Sequence, residues 1–144
     1  MEFMDYFPKL LLASIIGICV GWERSSRKYS QIGIGTTSIL ILGATLITII
    51  SKYNLGINGD AGRLIANIIT SIGFICSGVI IMKNNQEEND TELIGLTTSV
   101  TLFTLAGIGI SIGLSEFGLA ITAFTLLELN LLLSRSMKKR RDKK

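Results

Sequence analysis

Five long segments of this chain carry almost no charge. Four contain no charged residue and the last contains only Glu128; the segments are Leu10–Trp22, Ile32–Ser51, Leu64–Met82, Leu93–Ser115 and Phe117–Ser134. Only 17% of the 144 residues are charged, whereas about a quarter are charged in a soluble domain. About 20 apolar residues in a helix cross the hydrocarbon core of a bilayer. The pattern therefore predicts an all-α, polytopic membrane helix bundle with five transmembrane helices.

The first of these segments is short for a membrane span, at 13 residues. It reaches full length only if four preceding residues belong to the helix or its interface, and these are Phe3, Tyr6, Phe7 and Pro8. Aromatic side chains are common at membrane interfaces. The chain before the segment carries more acidic than basic residues, whereas a signal peptide begins with a positive segment. We therefore expect helix 1 to stay in the mature protein.

The basic residues are concentrated on one side of the predicted membrane. Eleven of the 14 follow helices 1, 3 or 5, namely Arg24, Arg27, Lys28, Lys83, Arg135, Lys138, Lys139, Arg140, Arg141, Lys143 and Lys144. The other side holds Lys9, Lys52 and Arg63. The positive-inside rule therefore predicts the N-terminus outside and the C-terminus inside. Residues 1–134 then form the transmembrane domain and 135–144 a basic cytoplasmic tail, which we expect to contact anionic lipid and not nucleic acid.

Helix 3 is predicted to begin with polar residues that share one face. Asp60, Arg63, Asn67 and Ser71 follow one another at spacings of three and four residues. A salt bridge between Asp60 and Arg63, with hydroxyls bonded back to the helix, would account for the outer end alone. It does not account for Asn67, because an amide in lipid needs a partner on another helix. We therefore predict that this helix 3 polar seam (Asp60, Arg63, Asn67, Ser71) binds a ligand or a partner.

A second polar group is predicted where helix 1 ends and helix 4 begins. Glu23 and Arg24 end helix 1, and Thr97 and Thr98 open helix 4 on the same side of the membrane. One interpretation is an ordinary interfacial helix end, and the other pairs Glu23 with a partner near the two threonines.

Glu128 is the one acidic residue inside a charge-poor segment. It either reaches toward the basic tail or stays buried and functional.

The residue types do not suggest catalysis or metal binding. The chain has no His, and neither a nucleophile motif nor a metal-ligand cluster is apparent. The acidic residues that could bind magnesium lie at the rims of the predicted spans, and these are Glu23, Asp60, Glu92 and Glu116. We predict that the protein is not an enzyme and has no catalytic residue, metal site or cofactor. Cys19 and Cys76 are predicted to be small, buried packing residues.

Two stretches of the sequence resemble each other. Residues 14–21 and 71–78 match at five of eight positions, and Thr-Thr-Ser occurs at both 36–38 and 97–99. The similarity suggests a parallel repeat of helices 1–2 and 3–4, although apolar helices also match by chance. Four pairs of small residues could allow close helix approach, within one subunit for most and in a homodimer for at least one. These pairs are Gly17–Gly21, Gly73–Ser77, Gly95–Ser99 and Gly109–Gly113.

The order of several short motifs resembles that of the MgtC/SapB family. Gly21-Trp22-Glu23-Arg24 is similar to the family's Gly-x-Glu-Arg run at the end of its first helix. Asp60-Ala61-Gly62-Arg63, followed by Asn67, is similar to an Asp-Pro-x-Arg run followed by Gln. Residues 71–78 are similar to a glycine-rich stretch, and residues 95–98 to a Gly-Leu-Thr-Thr motif. Together these similarities extend over residues 10–133.

This sequence departs from the family pattern at three places. Gly33-Ile34-Gly35-Thr36-Thr37 lacks the basic residue and the His of the family's Gly-Leu-Arg-Thr-His, Ala61 replaces Pro, and Asn67 replaces Gln. A site that depended on the missing basic residue would be altered. Larger members of the family carry a C-terminal cytoplasmic domain, in whose place we expect only the tail 135–144.

The resemblance implies a small multi-pass protein of the bacterial cytoplasmic (inner) membrane. It further implies a role in adaptation to low magnesium or in virulence, exerted through other membrane proteins such as ATP synthase and not through magnesium transport. The leading hypothesis is a non-enzymatic regulator whose partners are the lipid bilayer, a second copy in a homodimer and another membrane protein. The alternatives are a small dimeric ion or solute transporter that uses the helix 3 polar seam, and a structural scaffold without a ligand.

Overall fold

Five helices and a β-hairpin make up the part of the chain that the structure describes. The structure, a computed structural model, describes residues 2–25, 33–54, 61–85 and 90–141. Its elements in chain order are α1 (Glu2–Ser25), α2 (Ile34–Asn54), α3 (Ala61–Val79), β1 (Ile81–Asn85), β2 (Asp90–Ile94), α4 (Leu96–Gly113) and α5 (Phe117–Arg141). Asp60 of the predicted seam lies outside the described residues.

The predicted bundle of five membrane-spanning helices is confirmed. Each of the helices α1 to α5 contains an apolar stretch of 18 to 22 residues, which is long enough to cross a bilayer. Helix α1 begins at Glu2, so the residues that precede Leu10 do belong to it. The apolar stretch of α5 ends at Ser134 while the helix continues to Arg141, so the basic tail begins as helix. The sides of the membrane on which the termini lie remain a prediction.

The connection between α3 and α4 contains two short strands. Strands β1 and β2 pair antiparallel, with Ile81 opposite Ile94 and Asn85 opposite Asp90. Helix α3 correspondingly ends at Val79, before the charge-free run ends at Met82. The strand pairing satisfies backbone N–H and C=O groups that would otherwise have to bond water or lipid headgroups.

Helix α2 lies between α1 and α4 and contacts each of them through glycine. A Cβ atom placed on Gly17 would lie 2.5 Å from a backbone atom of α2, and one on Gly109 would lie 2.7 Å from another. Side chains at these positions would therefore push the helices apart. The Thr37 hydroxyl donates to the Gly17 carbonyl oxygen at 2.8 Å, and the Thr45 hydroxyl donates to the Gly109 carbonyl oxygen at 3.0 Å. Two of the predicted small-residue pairs thus pack within the subunit.

Two apolar clusters hold the bundle together, and α2 and α4 contribute to both. The first joins α1, α2, α4 and α5 through Ala13, Ile16, Val20, Ile41, Leu105, Ile108, Ile112 and Ala120. The second joins α2, α3 and α4 through Ala44, Ile68, Ile72, Cys76, Leu102, Ala106 and Ile110. Within the apolar spans, 67% of the α4 residues are buried, compared with 17% in α3 and 11% in α5. Helices α3 and α5 therefore lie at the periphery.

The two similar stretches of sequence do not have equivalent surroundings. Cys19 in α1 is exposed, whereas Cys76 in α3 is buried. Gly21 packs against α2, whereas a Cβ atom on Gly78 would have nothing within 4 Å. The prediction of a buried cysteine is confirmed for Cys76 and wrong for Cys19. The reason is that α1 meets α2 through Gly17 and Gly21, and Cys19 lies on the opposite side of that helix.

Replacing Gly109 by alanine tests the close approach of α2 and α4. The added methyl group would lie 2.7 Å from the carbonyl oxygen of Ile41 and 3.0 Å from Cβ of Ala44. We expect a loss of about 1–3 kcal/mol from overpacking, measured as a lower Tm of the protein in detergent. The matched control is Gly107→Ala, because nothing lies within 4 Å of a Cβ atom there. Equal losses in the two variants would contradict the close contact.

Candidate functional site

The predicted site residues form two separate groups. The first consists of Glu23, Arg24, Thr97 and Thr98, and the second of Arg63, Asn67 and Ser71. The first group lies where α1 ends and α4 begins, beside the last turn of α3. Arg63 lies in the first turn of α3, about 24 Å away along the helix axis at 1.5 Å per residue. The structure therefore does not combine the two groups into one site.

Hydrogen bonds from the Arg24 side chain join the end of α1 to the start of α4. Its side chain is buried, with 3% of its surface exposed. One guanidinium nitrogen donates to the carbonyl oxygen of Thr97 at 2.9 Å and also to the hydroxyl of Thr101. That hydroxyl in turn donates to the Thr97 carbonyl oxygen at 2.7 Å. Hydrogen bonds to a charged group are worth about 1.5–3 kcal/mol each, so this set stabilises the junction of the two helices.

Sequence reasoning predicted the meeting of these two helix ends but not all of the residues involved. Contacts with the first turns of α4 come from Arg24, and the neighbouring Glu23 is half-buried. Consecutive residues on a helix point about 100° apart, and the sequence alone did not fix the rotation of α1. Thr98 is buried and Thr97 is exposed. Thr101 was missed, although its spacing of one turn from Thr97 could have indicated it. The pairing of Glu23 stays a prediction.

Helix α3 is bonded to α4 close to this junction. The Ser99 hydroxyl donates to the Cys76 carbonyl oxygen at 2.9 Å, and the Cys76 thiol donates to the Ser99 carbonyl oxygen at 3.2 Å. Gly95, just before α4, has a φ of 92°, and a Cβ atom there would collide with the carbonyl oxygen of Val79. Glycine is therefore needed at this turn. The Gly95–Ser99 pair also serves contacts within the subunit.

An open groove runs between α2 and α3. Its volume is about 820 Å³, and its walls include Ile39, Gly43 and Ile47 from α2 and Asn67, Ser71 and Ile75 from α3. None of the described residues that line it is charged. Two residues of the predicted seam, Asn67 and Ser71, therefore face a space beside their own bundle that a ligand, a lipid or another protein can enter.

The polar side chains of α3 lie on the exposed side of that helix. The buried side of the helix carries Ile68, Ile72 and Cys76, whereas the exposed side carries Arg63, Asn67, Thr70, Ser71, Phe74 and Ser77. The Thr70 hydroxyl donates to the Ala66 carbonyl oxygen at 3.0 Å, as expected for a hydroxyl in a membrane helix. The side chains of Asn67 and Ser71 make no hydrogen bond within the described part of the chain.

Sequence reasoning did not predict the burial of Lys9 and left two alternatives for Glu128. Lys9 was counted only among the basic residues on one side of the membrane, but only 5% of its surface is exposed. A basic residue directly before an apolar run is typical of an interface, so hydropathy gave no signal of its burial. Glu128 is half-buried in α5.

At the end of α2, Lys52 donates to the carbonyl oxygen of Leu114 at 2.9 Å and so bonds α2 to the connection between α4 and α5.

The exposed face of α3 offers hydrogen bonding rather than ion coordination. Among the described residues, no group of three or more His, Cys, Asp or Glu side chains is placed to hold a metal ion. The face instead presents the amide of Asn67 and the hydroxyl of Ser71, and the exposed Arg63 lies in the first turn of the helix. The amide and the hydroxyl can bind a protein surface or a neutral polar solute.

Comparison with known proteins identifies the family. The sequence profile of the MgtC family matches residues 10–140. The chain belongs to the MgtC family. Its relatives include SapB of Bacillus subtilis, with 35% identity over 76% of this chain and 47% of SapB. They also include the "putative magnesium transporter YhiD" of Escherichia coli, with 31% identity over 87% of this chain and 59% of YhiD. No solved structure matches the chain.

The family resemblance inferred from the short motifs is thus confirmed. Protein MgtC of Salmonella typhimurium is 31% identical over 88% of this MgtC-family chain and 51% of the relative. The chain therefore spans about half to three-fifths of the length of these curated relatives. In this MgtC-family chain the Glu-Arg motif at the end of α1 and the Thr-Thr motif at the start of α4 are in contact through Arg24 and Thr97.

Substituting Thr101 by valine tests the hydrogen bonds of Arg24. The variant keeps the shape of the side chain but removes the hydroxyl that accepts from the buried guanidinium. We expect a loss of about 1–3 kcal/mol, seen as a lower Tm in detergent, because a buried charged donor loses an acceptor. The control is Thr104→Val, since the Thr104 hydroxyl only bonds back to the Val100 carbonyl oxygen. Its effect should stay within about 0.5 kcal/mol. Equal effects would argue against the role of Arg24.

Proposed function

We propose that this chain is a non-enzymatic regulator in the bacterial cytoplasmic membrane that acts through contacts with other membrane proteins, in adaptation to low magnesium or in virulence. Its membership of the MgtC family supports this class of function. The observation that carries the proposal is the direction of the polar face of α3. Asn67 and Ser71 face away from the buried side of their helix and border an open groove.

The energetic argument concerns the amide of Asn67. A polar group in an apolar medium costs roughly 1–3 kcal/mol by protein measurements when it lacks a hydrogen bond. Asn67 has no such bond within the described part of the chain, and lipid chains cannot provide one. Thr70 on the same helix avoids this cost by bonding back to its own backbone. A contact with another protein would satisfy the amide, and this is what a regulator needs on its lipid-facing surface.

The second candidate function is transport of an ion or a small solute. It is favoured by the volume of the groove, about 820 Å³, and by the name of the Escherichia coli relative, a putative magnesium transporter. Magnesium retains its waters strongly and is bound through oxygen ligands, usually including carboxylates. The described part of the groove lining includes no carboxylate. The residues of the groove therefore favour a regulator over a magnesium transporter.

The substitutions Asn67→Leu and Arg63→Ala distinguish these functions. In a strain that lacks its own copy of the gene, we expect both variants to reach normal levels in the membrane but to fail to restore growth at low magnesium. The reason is that a lost interhelical hydrogen bond weakens a contact about 3- to 30-fold. The matched control is Thr70→Val, an exposed position whose hydroxyl bonds its own helix, and it should restore growth like the wild type.

Flux measurements on purified protein in proteoliposomes complete this test. A regulator shows no magnesium or solute flux, whether wild-type or variant. Substrate-dependent flux that Asn67→Leu removes would overturn the proposal and establish the transporter. If both variants merely lower the amount of protein in the membrane, the scaffold hypothesis replaces the regulator.

A further inference from the structure

One stripe of α3, exposed at four of its five positions, has the spacing of a helix–helix interface. It consists of Leu64, Asn67, Ser71, Phe74 and Gly78, which follow one another at alternate intervals of three and four residues. This spacing is that of the a and d positions along which two helices pack side by side. We call these five residues the α3 stripe. Leu64, Asn67 and Ser71 border the groove, and Phe74 on the same stripe has 82% of its surface exposed.

The depth of Asn67 restricts what can cover the α3 stripe. At 1.5 Å per residue, Asn67 lies about 5 Å from the midpoint of the Gly62–Val79 span. That position is well inside a hydrocarbon core about 30 Å thick. Lipid headgroups and their ester groups lie farther out, so at this depth a phospholipid presents only hydrocarbon. The amide therefore requires a protein partner that carries a hydrogen-bonding group at the same depth.

We propose that the α3 stripe is the interface of a homodimer in which Asn67 bonds the partner's Asn67. Two copies inserted in the same direction are related by a two-fold axis along the membrane normal, which places identical residues at equal depth. A carboxamide carries a donor NH₂ and an acceptor oxygen, so its charge distribution is complementary to that of its own two-fold copy. A second copy therefore meets the depth requirement and the complementarity requirement together.

The rest of the α3 stripe is compatible with this arrangement. A Cβ atom on Gly78 would have nothing within 4 Å in the subunit, so a neighbouring backbone can approach there. The Phe74 side chain is largely exposed, so it is available to pack against the partner helix. Arg63 precedes Leu64 and lies at the edge of the α3 stripe. Its long side chain can extend toward the headgroups, which keeps the two cations of the dimer apart.

Disulfide cross-linking of the whole protein in its membrane tests the dimer. Ser71→Cys, one turn from Asn67 on the α3 stripe, keeps the amide; it is made in a Cys19→Ser background that keeps the buried Cys76 and is then oxidised with copper phenanthroline. We expect a covalent dimer as the main product. The matched control is Ile69→Cys, two residues earlier, 44% exposed and on the other side of α3, which should remain monomeric. Cross-linking at neither position, as for a groove filled by lipid, overturns the dimer, and equal cross-linking at both does the same.

The strength of the interface provides a second measurement. Energy transfer between labelled copies is followed in vesicles at increasing ratios of lipid to protein. Asn67→Leu should weaken dimerisation about 3- to 30-fold, whereas Asn67→Gln keeps the amide and should stay near the wild-type value. If the leucine variant dimerises with unchanged affinity, Asn67 does not contribute to the interface.

The homodimer rests on the proposed function in one respect, since both assign the exposed face of α3 to protein contact. The two fail in different ways. If Ser71→Cys does not cross-link but Asn67→Leu still loses growth at low magnesium, the dimer is wrong and the regulator stands. If the cross-link forms but Asn67→Leu restores growth, the dimer stands and the proposed regulatory contact is wrong.

Discussion

The bundle depends on how closely α2 can approach its two neighbours. In a bilayer, apolar side chains gain little by leaving lipid for one another, so close packing and hydrogen bonds between helices must hold the protein together. Gly17 and Gly109 bring the backbones of α1 and α4 against α2. At that distance the hydroxyls of Thr37 and Thr45 reach carbonyl oxygens of the adjacent helices. The same glycines thus permit both kinds of stabilisation.

This central packing determines which surfaces are left for function. Helices α2 and α4 contribute to both apolar clusters, whereas α3 packs through one side only. A polar residue on the other side of α3 must bond its own helix, as Thr70 does, or find a group outside the subunit. Asn67 belongs to the second class. The proposed contact surface follows from that difference more than from the presence of polar residues as such.

Hydropathy was sufficient to predict the five helices, because a run of apolar residues long enough to cross the membrane has few alternatives to a helix. It could not predict which helices are neighbours, so the partners of Gly17 and Gly109 emerged only from the structure. Hydropathy also did not indicate how each helix is rotated about its own axis. For this reason the exposed position of Cys19, the burial of Lys9 and the contact of Arg24 with Thr101 were not foreseen.

The short strand pair was missed for another reason. Its sequence is mostly polar and lacks a clear alternation of apolar and polar residues, so nothing in the pattern distinguished it from a loop. The pairing arises from the neighbouring helices, because α3 and α4 pack together in the second cluster and their adjacent ends bring the two arms of the connection side by side.

The two ends of α3 are held to the bundle by different kinds of contact. At its last turn the helix is joined to α4 by this reciprocal pair and by the tight turn at Gly95. Toward its start it is held to the bundle mainly by Ile65, Ile68 and Ile72. A partner that binds at Asn67 would therefore contact the half of α3 that is held by apolar packing, and not the half that is hydrogen-bonded to α4.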